Sequence, residues 1–219
     1  SGDAMLVLAY QFMAECPSTF LKEVMDLFSL TALEICEGQQ MDMEFEQRND
    51  VTAEEYLEMI RLKTAVLLAA SLKIGARLGG ASVEDADRLY DFGMHIGVAF
   101  QLKDDLLDVY GNAKVFGKNI GGDILCNKKT YMLIKALEHA NADQHNQLNS
   151  WINAETFQPA EKIAAVTELY DRIGVKAVCE NKILEYSNRA MESLAAVSIA
   201  EEKKEELKKI IENLIHREV

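Results

Sequence analysis

The chain has 219 residues, 49% of them hydrophobic, with only 2 prolines and 12 glycines, and a formal net charge of −13. So few helix breakers predict a mostly helical chain, long enough to bury a sizeable core as one domain over residues 1–219. The acidity argues against nucleic acid as a partner, since phosphate backbones are met by clustered Lys and Arg, and no apolar run reaches the ~18–20 residues of a membrane span.

From Asp3 to Ala14 the sequence is helical in composition and apolar on nearly every side, so it calls for a cover from another segment or a partner subunit. Cys16-Pro17-Ser18-Thr19 ends it. A second helix from about Leu21 to Met43 carries an apolar stripe of Val24, Leu27, Phe28, Leu30, Leu33 and Ile35, then runs into Gly38-Gln39. A glycine inside a helix costs about 1 kcal/mol relative to alanine. Gly38 therefore marks a close helix crossing or a ligand's approach, unless the helix simply ends beside an acidic surface.

Thr52-x-x-Glu55 has the spacing of a capping box and starts a helix to about Arg77. Inside it, Lys63-Thr64 enters the apolar run 65–72; such a lysine either snorkels to the surface or meets an anion. Gly79-Gly80 stops this helix. Ser82 caps the next, which continues unbroken to about Tyr110, a length of ~42 Å at the α-helical rise. Its Gly93 and Gly97, four apart, admit a neighbouring helix closely.

Near the end of that helix, Gln101, Asp104 and Asp108 share one face, while Leu102, Leu106 and Val109 share another. Like charges at i and i+4 repel by a few tenths of a kcal/mol, roughly, and a bound divalent cation reverses the sign. Most such pairs are solvated surface. Here the almost uncharged stretch 92–99 upstream predicts a buried helix, which favours a metal site. A loop rich in glycine and lysine follows, including Gly117-Lys118, Gly121-Gly122-Asp123 and Asn127-Lys128-Lys129-Thr130. It is either a solvated turn with incidental lysines or, beside Asp104 and Asp108, a loop that suits a phosphate, although the spacing of a P-loop is absent.

Farther on, the pattern predicts a helix over 131–140, a polar connection over 141–150, a short helix from Trp151 to about Phe157, and helices over 160–173, 175–195 and 201–218. Residues 201–209 read as a solvated charged helix. His95 reads as a satisfied core histidine. Cys16, Cys36, Cys126 and Cys179 are scattered without CxxC spacing, which predicts reduced thiols in a cytoplasmic protein.

Taken in order, Gly2-Asp3, Gly38-Gln39, Lys63-Thr64, Phe100-Gln101-x-x-Asp104-Asp105-x-x-Asp108 and the loop with Lys118, Asp123 and Lys128 resemble the motifs of the trans-type prenyl diphosphate synthases, or polyprenyl synthetases. The resemblance implies an all-α fold, a single-domain bundle of long helices around a central apolar cavity. It implies Mg²⁺, three ions per complete site, held on this side by Asp104, Asp105, Asp108 and Asp123. Lys63, Lys118, Lys128 and Gln39 are the diphosphate-binding residues it implies, and Thr64 and Gln101 face the developing allylic cation. The substrates are then an allylic diphosphate and isopentenyl diphosphate, and the assembly a homodimer. That family's first aspartate-rich motif does not precede Gly2, so the expectation is an N-terminally incomplete synthase. The alternatives are a non-catalytic accessory subunit and a terpene cyclase of the same fold. Product length is not legible here.

Overall fold

The computed structural model describes residues 1–111 and 120–215. Its organising element is the helix α5, Val83–Tyr110, 28 residues long as the capping and periodicity predict. Ser82 Oγ accepts the Asp85 N–H at 3.1 Å, and Gly111 ends the helix in an extended conformation. Helix α4 (Val66–Leu78) runs against one side of α5 and α10 (Val175–Ala195) against another. A side chain at Gly93 would place Cβ 2.6 Å from Ala69 Cα of α4, and one at Gly97 2.5 Å from Ala65 Cα just ahead of it, so α5 meets this segment backbone to backbone. This is the close approach that the glycine spacing predicts.

Ahead of α4, the expected single helix is two pieces. Helix α3 (Ala53–Ile60) starts at a capping box in which Thr52 and Glu55 bond reciprocally at 3.2 and 2.9 Å. It passes into a π-helical turn, Arg61–Ala65, before α4 begins. Such turns insert one residue into the hydrogen-bond ladder and re-aim the side chains around them. Two glycines of other helices pack closely against it. Gly38 of α2 (Leu21–Phe45) lies so near that its Cβ would stand 2.4 Å from the Lys63 nitrogen, and a Cβ at Gly97 of α5 would stand 2.5 Å from Ala65 Cα. Gly38 thus marks a close crossing.

Helix α1 (Gly2–Ala14) buries none of its residues, with Met5 69% and Phe12 66% exposed, as its all-round apolar sequence requires of an uncovered helix. It touches α2 through Tyr10 and Phe28, ring centroids 4.8 Å apart edge to face. Beyond α5 come the short α6 (Gly122–Leu125), α7 (Tyr131–His139), α8 (Ala142–Ile152) and α9 (Pro159–Ile173). Here the expectation needs correcting. Residues 142–152 form a helix, and the connection lies after it. Asn141 and Gln144 make a capping box, and Leu148 is buried with Trp151 and Ile152 half-buried behind it, an inward face confined to the last turns and too short to register as periodicity.

A 3₁₀ turn (Glu201–Lys203) and α11 (Glu205–Ile215) close the described chain. Lys204, in the stretch expected to be solvated, is 2% exposed, and its ammonium donates to the Ala195 carbonyl at 3.0 Å and Glu201 at 2.8 Å. It thereby caps the end of α10. His95 is half-buried with Nδ1 3.5 Å from Ser193 Oγ. All four cysteines are free thiols. Among the described residues, no strand forms and no helix is long and apolar enough to cross a membrane.

Candidate active site

The carboxylates gather where α5 ends. Asp104 and Asp108 are both half-buried there. Asp108 also folds back the chain that follows: its carbonyl accepts the Gly121 N–H at 2.6 Å and its Oδ2 accepts the Asp123 N–H at 2.9 Å. Gly121 makes the return at φ +82°, a value that favours glycine. Asp123 is thus carried up to the other two. Its carboxyl is raised above the usual range, by burial first, with the charges of Asp108 and Asp104 adding and that of Lys128 opposing. Lys128 Nζ stands 3.5 Å from Asp123 Oδ1. Burial would lower the lysine, but the fields of Asp105, Asp123 and Asp42 together raise it.

Asp105 points the other way. It is 3% exposed, its Oδ2 accepts the Tyr56 hydroxyl of α3, and its Oδ1 accepts Gln101 Nε2 at 3.1 Å. Burial pushes its carboxyl up to about 7, with Tyr56, Lys128 and Gln101 acting in opposition. Gln101 Oε1 in turn accepts the Thr64 hydroxyl at 3.2 Å. A continuous chain therefore runs from Tyr56 through Asp105 and Gln101 to Thr64 in the π turn. Asp105 is placed inside this chain rather than beside Asp104 and Asp108, because on a helix it lies 100° from Asp104.

Lys63, also in the π turn, donates to Asp42 Oδ2 of α2 at 2.6 Å. Of the two fates open to it, the lysine takes the anion. Asp42 and Tyr56 are the residues that sequence reasoning missed. Asp42 had a signal, since it stands one helical turn from Gly38 on the same face. Tyr56 had none, being 49 residues from Asp105. Gln39 is exposed on α2 beside the crossing. Lys118 lies outside the described residues.

Below this polar end opens an apolar groove of about 750 Å³ between α4, α5 and α11. Lys63, Thr64 and Phe100 stand at its upper end, Leu72 and Phe92 two turns farther down, and Leu207, Ile210 and Leu214 along its side. Among the described residues, no three His, Cys, Asp or Glu side chains are already arranged to hold a metal ion. Two carboxylates of one helix face and a third carried to them still concentrate negative charge, and the fields of Asp108 and Asp104 add to the burial that raises Asp123. That suits a hard cation such as Mg²⁺, which takes one or two carboxylates and fills its octahedron with water and phosphate oxygens.

An all-helical bundle with an acidic, lysine-edged mouth over an apolar groove is the architecture of isoprenyl synthases. The fold overlays on a crystal structure of a geranylgeranyl pyrophosphate synthase with a TM-score of 0.93 and 38% identity, covering 100% of this chain and 68% of that one. A geranylgeranyl pyrophosphate synthase from Corynebacterium glutamicum, complexed with isoprenyl diphosphate and magnesium, gives 0.89 at 29% identity, covering 99% and 62%. The chain belongs to the polyprenyl synthetase family, whose model matches residues 1–170. The short chain isoprenyl diphosphate synthase of Methanothermobacter thermautotrophicus is 36% identical over 219 residues. That match covers 100% of this chain and 66% of the relative's length, so the chain spans just under two thirds of that relative.

Proposed function

We propose that this chain carries the metal- and diphosphate-handling part of a prenyltransferase that joins an allylic diphosphate to isopentenyl diphosphate, giving a longer trans-prenyl diphosphate. The observation that carries this is the juxtaposition of Asp104, Asp108, Asp123, Lys63 and Lys128 at one end of an apolar groove headed by Thr64. The names of the similar proteins point the same way.

Mg²⁺, when bound by Asp104, Asp108 and Asp123, supplies charge neutralisation to the departing pyrophosphate. Lys63 and Lys128 hold diphosphate oxygens as compact charges, with Gln39 and Lys118 as further contacts. Asp42 keeps the Lys63 ammonium at the mouth of the groove. As the allylic C–O bond breaks, the Thr64 oxygen, aimed by Gln101, faces the carbon that becomes positive. The isopentenyl double bond supplies the electron pair of the new C–C bond, and the released pyrophosphate takes the proton. The groove excludes water from the tail and from the cation. Asp105 is assigned to holding Gln101. The exposed apolar face of α1 supports a homodimer, and the four free thiols support a cytoplasmic location.

The test is calorimetric titration of the chain with pyrophosphate, with and without Mg²⁺, followed by product analysis with allylic and isopentenyl diphosphates. Mg²⁺-dependent binding lost in Asp104→Asn supports the assignment. Pyrophosphate binding indifferent to both metal and Asp104 overturns it. Turnover by this chain alone rules out the accessory-subunit alternative.

A further inference from the structure

Lys162 of α9 is 1% exposed, a lysine covered by its neighbours and outside the lining of the groove. Its Nζ donates to Asn127 Oδ1 at 2.7 Å, makes a longer 3.5 Å contact to the Leu125 carbonyl, and lies 4.3 Å from the centre of the Phe157 ring. No carboxylate is among these partners, and burial lowers the lysine from its ordinary range. An ammonium is a costly group to enclose merely to fill space.

Its partner explains it. Asn127 adopts φ +51°, the one non-glycine residue with positive φ among the described residues. L side chains rarely take that conformation, and Asn tolerates it better than most. Its side chain is gripped from both sides, since Nδ2 donates to the Ile152 carbonyl at the end of α8 at 3.0 Å. Asn127 is therefore clamped between α8 and α9. Directly after it, the Lys128 N–H donates to the Asp123 carbonyl at 3.0 Å, and the Lys128 ammonium meets the Asp123 carboxylate. An enclosed cavity of about 20 Å³ lies among Asp123, Asn127, Lys128, Trp151, Lys162 and Tyr170, roughly the room one water needs.

We infer that Lys162 is a positioning residue: by holding Asn127 in its left-handed conformation it fixes the turn that sets Lys128 and Asp123 against each other at the diphosphate end. This rests on the diphosphate assignment proposed for those two residues. Without the ammonium, Asn127 relaxes toward negative φ, the Lys128–Asp123 backbone bond opens, and both side chains lose their common register.

Lys162→Met keeps the length and the apolar stem and removes the charge. In the 219-residue chain, hydrogen exchange followed by mass spectrometry is expected to show residues 124–130 exchanging about ten-fold faster, with 83–110 unchanged. Mg²⁺-dependent pyrophosphate affinity is expected to fall about ten-fold, the scale seen for groups that orient ligands from behind. In an Asn127→Ala background the same substitution is expected to add nothing, because Lys162 acts through Asn127. Unchanged exchange at 124–130, or an affinity loss that adds fully to that of Asn127→Ala, overturns the inference. If Lys162→Met does not fold, Asn127→Ala alone is expected to show the same local loosening, and its absence overturns the inference equally. If the unaltered chain binds no Mg²⁺–pyrophosphate, the proposed function falls while the exchange comparison still decides whether Lys162 holds the turn.

Discussion

Replacing Asp105 by asparagine isolates the cost of a buried carboxyl at the centre of this protein. In the folded chain that carboxyl is pushed up to about 7 from 3.8, chiefly by burial. Between those values the folded state holds a proton that the unfolded state has released. Stability therefore falls as pH rises through this window, the opposite of a salt-bridged aspartate. One pKa unit corresponds to about 1.4 kcal/mol, so the penalty growing between pH 5 and pH 8 is about 2–3 kcal/mol. The amide introduced by Asp105→Asn has nearly the same shape as the carboxyl, accepts from Tyr56, donates to Gln101 once that amide turns over with Thr64 accepting in place of donating, and does not titrate. Urea denaturation followed by far-ultraviolet circular dichroism, in EDTA, measures both proteins at each pH. Asp105→Asn is expected to match the unaltered chain within about 1 kcal/mol at pH 5 and to exceed it by about 2–3 kcal/mol at pH 8. Groups that titrate alike in both proteins cancel in the difference. Parallel stability curves across that range would refute the argument and mean that Asp105 is paired well enough to stay charged.

Tyr56→Phe removes a hydroxyl that lowers the Asp105 carboxyl, so its cost should be larger at pH 8, about 1–3 kcal/mol, than at pH 5; the same denaturation series reads it. Gly97→Ala sets a methyl 2.5 Å from Ala65 Cα and must part α5 from the π turn, at about 1–3 kcal/mol by thermal or urea unfolding. An unchanged midpoint would mean the helices cross more loosely than described. Asp104→Asn is expected to abolish Mg²⁺-dependent pyrophosphate binding in calorimetry while shifting stability by no more than about 0.5 kcal/mol, as for a half-exposed side chain.

The features legible in the sequence are those set by neighbours within about one helical turn. Ser82 and Gly111 bound α5 because caps act on adjacent backbone groups, and the 3.6-residue period puts Asp104 and Asp108 on one face wherever the helix packs. Gly93 and Gly97 announced a close neighbour for the same local reason. What the tertiary structure decided lies across long separations. The π turn lies where Gly38 and Gly97 converge on Lys63 and Ala65 from two other helices, which no window around 61–65 records. Asp105 belongs with Tyr56, Lys63 with Asp42 and Lys162 with Asn127 because segments 21 to 49 residues apart in sequence meet there. A helix's own period says which residues share a face. Only the crossing of helices says whether that face meets solvent, a ligand or a buried partner, since burial and pairing are properties of the space between elements.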